Sequence, residues 1–165
     1  NQLGKKVSYY YSLHRLDPSY RIYWDDGYTD MPADFEQLKK IFESIEPGSA
    51  EKLEKYLKGA AYKYEVGVNK LVYKPSRSLT EFMDWETISG VFKLQVFSSI
   101  KSHIAKYFRH PKLRQIMEFP VLFLGALPED TPALYSLMNY ADINGGNWHP
   151  QGGIYAVVVL SLIHL

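Results

Sequence analysis

Five histidines, eighteen acidic side chains and no cysteine carry the polar chemistry open to these 165 residues. The absence of cysteine excludes disulfides, thiolate zinc sites and a cysteine nucleophile. His14, His103, His110, His149 and His164 include no pair at the i,i+4 spacing of a helical metal site, and none stands among carboxylates. His103 and His110 would share a helical face, but Pro111 sets His110 outside the helix, so no metal site is expected. Ser136 lies in Leu134-Tyr135-Ser136-Leu137, without the glycine-flanked elbow of a serine hydrolase. Asp25-Asp26 reads as turn chemistry, and Glu129-Asp130 as charge favouring the start of a helix at Thr131-Pro132. Gly145-Gly146 and Gly152-Gly153 do not match the G-x-G-x-x-G dinucleotide fingerprint. No catalytic residue is identified.

Two other stretches carry more. Phe119-Pro120-Val121-Leu122-Phe123-Leu124-Gly125-Ala126 is almost free of polar side chains, and reads either as a core element or as the lining for a long apolar ligand. Asn147-Trp148-His149-Pro150-Gln151-Gly152-Gly153 follows a first glycine pair. Two glycine pairs around a Trp and a Pro exceed what a turn requires, and suit backbone that passes close to a ligand or another domain.

Several elements must position these stretches. Tyr20–Trp24, the turn Asp25-Asp26-Gly27 and Tyr28–Met31 predict a β-hairpin. Phe35, Leu38, Ile41, Phe42 and Ile45 then fall on one helical face, ended by Glu46-Pro47-Gly48. A second helix buries Leu53, Tyr56, Leu57, Ala60, Ala61, Tyr64 and Val68 and exposes Glu51, Lys52, Glu54, Lys55 and Lys58. Ser78 with Glu81 forms a capping box, and one long helical region runs from Trp85 through Phe97 and Ile100 to Phe108. Pro111 opens another helix, and Thr131-Pro132 one more through Leu134, Leu137, Met138 and Ala141. The final apolar run, about 12 residues, is short of the roughly 20 that span a bilayer, and reads as a strand or helix to be buried against a partner absent from these residues. A net charge of +1 gives no general reason to expect nucleic acid, and none is expected as a partner. The fold class expected is α+β: one mostly helical domain over residues 1–165, with a few antiparallel strands near its ends.

Joined, FPVLFLGALPEDTPALYSLMNYAD and GGNWHPQGG resemble the bacterial-type phytoene desaturases, the FAD-dependent carotenoid dehydrogenases. LHRLDPSYRIYWDDG and IEPGSAEKLEKYLKGA are similar to the same proteins in the same order, so the resemblance runs from about Tyr11 to Tyr155. The loop here reads WHP where WYP is commoner in the family, and GGI where GGM or GGT is usual; residues 157–165 depart from the family pattern. The resemblance implies a fragment: the inserted substrate-binding domain, lacking the dinucleotide-binding domain that holds FAD in the parent protein. It implies that Leu122, Phe123, Leu124, Gly125, Tyr135 and Tyr140 bind a carotenoid substrate such as phytoene. It likewise implies that Trp148, Pro150, Gly152 and Gly153 form a lip beside the flavin. The other implied partner is the FAD domain of the same chain, and the implied location is cytoplasmic with peripheral membrane contact, through a helix such as Ala50–Lys70. Alternatives at this stage are a non-catalytic lipid- or carotenoid-binding helical module, an interaction domain with no ligand, and another amine-oxidase-like flavoenzyme reaction such as carotenoid isomerisation.

Overall fold

The computed structural model of the chain describes residues 12–68 and 95–163. The expected capping box at Ser78 and the helical stretch from Trp85 to Leu94 lie outside the described residues. In chain order the elements are β1 (Leu13–Arg15), β2 (Tyr20–Trp24), β3 (Gly27–Met31), α1 (Phe35–Ile45) and α2 (Ser49–Val66). They continue with α3 (Ile100–Ala105), α4 (Pro111–Glu118), a 3-10 helix at Phe119–Leu124 and another at Ala133–Ser136. The last are α5 (Leu137–Tyr140), a π turn at Ala141–Gly145, β4 (Trp148–Pro150) and α6 (Ile154–Ile163). The class is α+β, mostly helical, with two small antiparallel sheets. The residues group into two compact units, one reaching to Phe35 and resuming at Gly146, the other spanning Glu36–Gly145.

In the first unit, β2 and β3 form the expected hairpin, with Tyr20 opposite Met31 and Trp24 opposite Gly27. Gly27 has φ 142°, a conformation that side-chain-bearing residues rarely adopt. Across the ladder the Arg21 guanidinium donates to both Asp30 carboxylate oxygens at 2.6 and 2.9 Å, and the Trp24 indole N–H donates to the Thr29 hydroxyl at 2.8 Å. The second sheet joins distant parts of the chain, β1 and β4, with Leu13 opposite Pro150, His14 opposite His149 and Arg15 opposite Trp148. Backbone bonds from Leu16 N–H to Asn147 and from Gln151 N–H to Ser12 carbonyls, both 2.8 Å, extend it. Gly146 adopts φ 73°, where glycine is favoured, and a Cβ there would also displace the Arg15 guanidinium.

In the second unit, the periodicity of α1 and α2 is realised. Leu38 and Phe42 on α1 and Leu53, Tyr56, Leu57 and Ala60 on α2 are buried, joined in the core by Ile104, Phe108, Leu113 and Met117. The turn between the helices is held by Glu43, whose carboxylate accepts the N–H groups of Gly48 and Ala50 at 2.7 and 3.1 Å. Pro111 sits in the first turn of α4, as expected, behind a His110 cap whose Nδ1 accepts the Lys112 N–H.

One expectation is corrected. The helix predicted to run unbroken into Ile100 is interrupted: Gln95 has φ 56°, Ser99 bridges to Pro132, and α3 starts at Ile100 with the Ser99 hydroxyl accepting the Ser102 N–H. Serine side chains compete for backbone donors, which favours a cap over helix continuation. The closing apolar run is helical as α6, with Ile154, Tyr155 and Val158 exposed.

Candidate functional site

The expected lip lies in the first unit on one continuous stretch. Trp148 opens β4 with half its surface exposed (52%), while Pro150 is buried. The chain then turns through Gly152 (φ 87°) and Gly153 (φ 80°), with the Gly153 N–H bonded to the Pro150 carbonyl at 2.9 Å, and enters α6 at Ile154. Two successive left-handed residues are a conformation for which glycine is the default. A Cβ built on Gly153 meets nothing within 4 Å. Its backbone is therefore open to a flat partner, and in that respect the turn fits a flavin ring.

The expected substrate residues lie in the second unit on two segments. The apolar stretch folds as a 3-10 helix that splits its own side chains: Pro120 and Val121 are buried, whereas Leu122, Phe123 and Leu124 face outward at 67%, 75% and 41% exposure. Gly125 ends the helix with φ 63°, and Leu127 beyond it is also exposed. Four large apolar side chains in six residues make a patch of the kind that marks a ligand, membrane or protein contact. Tyr135 and Tyr140 stand half-buried on the segment formed by the second 3-10 helix and α5. The Tyr140 ring packs against Tyr64, centroids 5.5 Å apart, and its hydroxyl accepts a 3.2 Å bond from Asn144. α5 packs beside the 119–124 helix, so the two segments are neighbours.

A buried polar cluster in the same unit escaped the sequence reading. Lys63 is only 3% exposed, yet its ammonium makes three 2.9 Å bonds, to the Gln95 side chain, the Ala133 carbonyl and the Ser136 hydroxyl. Burial, with Lys106 adding to it, pulls its pKa down to about 8. The Tyr56 hydroxyl donates to the Asn139 side-chain oxygen at 2.9 Å, and the Asn139 amide donates to the Met117 carbonyl at 2.8 Å. Burial raises the Tyr56 pKa, so the phenol stays neutral. His103, 5% exposed, packs against the rings of Tyr56 and Tyr107, which also touch each other, and its pKa is held at about 4 by burial and by the charges of Lys63 and Lys106. The available signal was spacing: Lys63 falls three residues after Ala60, on the stripe that buries Leu53, Tyr56 and Leu57.

Among the described residues, no three His, Asp or Glu side chains gather as a metal site. His14 and His149 do meet across β1 and β4, ring centroids 5.5 Å apart, but as a pair.

No family model matches the chain. Curated relatives do. Over 157 residues, 94% of its length, the chain is 41% identical to a carotenoid 3,4-desaturase from Haloarcula japonica, and covers 32% of that protein. It is 25% identical to a zeta-carotene-forming phytoene desaturase from Myxococcus xanthus, covering 94% of the chain and 30% of the relative. A phytoene desaturase from Phycomyces blakesleeanus is 28% identical, with 94% and 27% covered. The chain thus spans about a third of the length of the curated relatives it matches.

Proposed function

We propose, from the premise that this chain belongs to the carotenoid and phytoene desaturase family, that its parent protein is an FAD-dependent oxidoreductase that desaturates a carotenoid. In this reading the chain supplies the substrate-binding portion, one inserted domain of a larger flavoenzyme. The observation that carries the proposal is the 41% identity to a carotenoid 3,4-desaturase along almost the whole chain.

Desaturation removes two hydrogens from a saturated C–C bond next to a conjugated chain, one as a hydride and one as a proton. When bound, the flavin supplies the acceptor for the hydride. The task left to this chain is to hold and orient an extended hydrocarbon and to exclude water. Leu122, Phe123 and Leu124 suit that work because they present a continuous apolar surface with no polar group to be desolvated. Gly125 ends that surface, and Tyr135 and Tyr140 form its flank, each with an apolar ring and a polar tip. Trp148 and Pro150 shape the lip, and Gly152 and Gly153 let backbone approach the flavin where a side chain would hold it off.

The substrate partitions into lipid, so the proposal includes peripheral contact with a bilayer from the cytoplasmic side. Among the described residues no helix is long and apolar enough to cross a membrane. The exposed apolar patch at Leu122–Leu124 and Leu127 suits such contact better than α2, whose outward face is charged.

Expression of the full-length parent in cells that accumulate an acyclic carotenoid tests the function. The account expects products with additional C–C double bonds. An unchanged carotenoid profile, with the flavoprotein present and folded, overturns it.

A further inference from the structure

β1 and β4, both in the first compact unit, set His14 directly opposite His149. The two imidazole rings stand 5.5 Å apart, centroid to centroid, with their planes inclined by 68°. His14 is exposed and His149 partly so, and neither ring makes a hydrogen bond among the described residues. Their nitrogen lone pairs are therefore uncommitted and reachable from solvent. Alternation along the strands puts Ser12, Leu16, Asn147 and Gln151 on the same face as the pair, all of them uncharged, while Arg15 falls on the opposite face with Trp148. Those neighbours neither repel a cation nor offer a carboxylate to one, so an ion taken up here is held by nitrogen.

We infer that this pair is a two-imidazole chelate for a divalent transition metal ion of borderline softness, zinc or copper, with water filling the rest of the shell. Two imidazole nitrogens bound tetrahedrally at about 2.0–2.1 Å place their ring centroids about 5 Å apart, so the observed separation needs only a small side-chain rotation. Imidazole selects such ions over magnesium and calcium, which prefer oxygen. Once one nitrogen holds the ion, the second binds it within the same molecule, and the paired strands already hold the two side chains side by side. That chelate gain raises affinity by about two to four orders of magnitude over a single imidazole. The ion then staples β1 to the strand that carries Trp148. No i,i+4 spacing marks such a site, because the sheet brings its two members together. The inference is independent of the desaturase reading, since neither histidine is assigned to carotenoid or flavin.

The test uses the purified full-length parent, stripped of metal with a chelator, and two probes: zinc by titration calorimetry and copper(II) by electron paramagnetic resonance. Zinc is expected to fill a site that His14→Gln and His149→Tyr each weaken by about a hundredfold, the loss of the chelate gain. His149→Tyr keeps an aromatic ring against His14, and His14→Gln changes an exposed side chain, so neither variant disturbs the core. Excess magnesium is expected to leave the zinc isotherm unchanged. The wild-type copper spectrum is expected to show coupling to two imidazole nitrogens, and that of each variant to one. Equal zinc affinity in wild type and both variants, copper coupled to a single nitrogen in wild type, or displacement of zinc by magnesium overturns the site.

Discussion

Tyr56 and Asn139, 83 positions apart, share a buried 2.9 Å hydrogen bond that ties the middle of α2 to α5. Asn139 in turn donates to the Met117 carbonyl at the end of α4, so one side chain joins three helices. Tyr56→Phe leaves the Asn139 oxygen buried and unpaired, with the ring packing intact. We predict a loss of about 1–2 kcal/mol, read from chemical denaturation of the parent. Asn139→Ala removes both bonds and should cost more. Equal stability of wild type and both variants would show that the bond holds nothing together.

Glu46 gives a pH signature. Its burial alone would raise the carboxyl, but Lys52 at 2.7 Å and the backbone N–H groups of His110 and Arg109 at 2.8 Å hold it at about 2. Because the folded value lies below the unfolded one of about 4.5, the stabilisation is complete above that pH and is lost as pH falls toward 2. Glu46→Gln should therefore lower stability at neutral pH by on the order of 2 kcal/mol and flatten the acid limb. Denaturation curves at pH 7 and pH 3 measure this, and an unaltered acid limb would contradict it.

Phe123 separates substrate contact from stability. At 75% exposure, Phe123→Ser should change stability by no more than about 0.5 kcal/mol. Carotenoid turnover by the same variant should fall by about tenfold or more, as expected from the loss of roughly 1.5–3 kcal/mol of apolar contact. Full activity in a stable Phe123→Ser protein would remove the 119–124 helix from the substrate wall.

Gly153 tests the lip. The cost of a left-handed alanine there is about 1–2 kcal/mol of strain, with no steric clash inside the chain itself. Gly153→Ala should thus leave a folded parent with markedly weaker flavin retention, visible as free flavin in gel filtration. Retention equal to wild type would place the flavin elsewhere.

The parts of this fold that were legible are those governed by local chemistry. The turn Asp25-Asp26-Gly27 announced the hairpin, Glu46-Pro47-Gly48 the end of α1, and Pro111 the start of α4. The break before α3 was hidden because Phe97, Ile100 and Ile104 keep helical spacing across it, while Ser99 starts the new helix through its side-chain hydroxyl, which accepts the Ser102 N–H. The pairing of β1 with β4 was also invisible: three-residue strands separated by most of the chain leave no pattern to read. In the candidate site, the composition of Phe119–Ala126 marked it as special, but the division into buried Val121 and exposed Phe123 follows from the 3-10 geometry. Lys63 and His103 were missed because polar residues on an apolar stripe look like interruptions until their acceptors and neighbours are in place.

The most direct test of the central claim is anaerobic mixing of the purified, flavin-loaded parent with an acyclic carotenoid in liposomes, followed by absorption spectroscopy. The account predicts bleaching of the oxidised flavin band together with a red shift of the carotenoid spectrum, as the conjugated system lengthens. A flavin band and a carotenoid spectrum that both stay unchanged would contradict it.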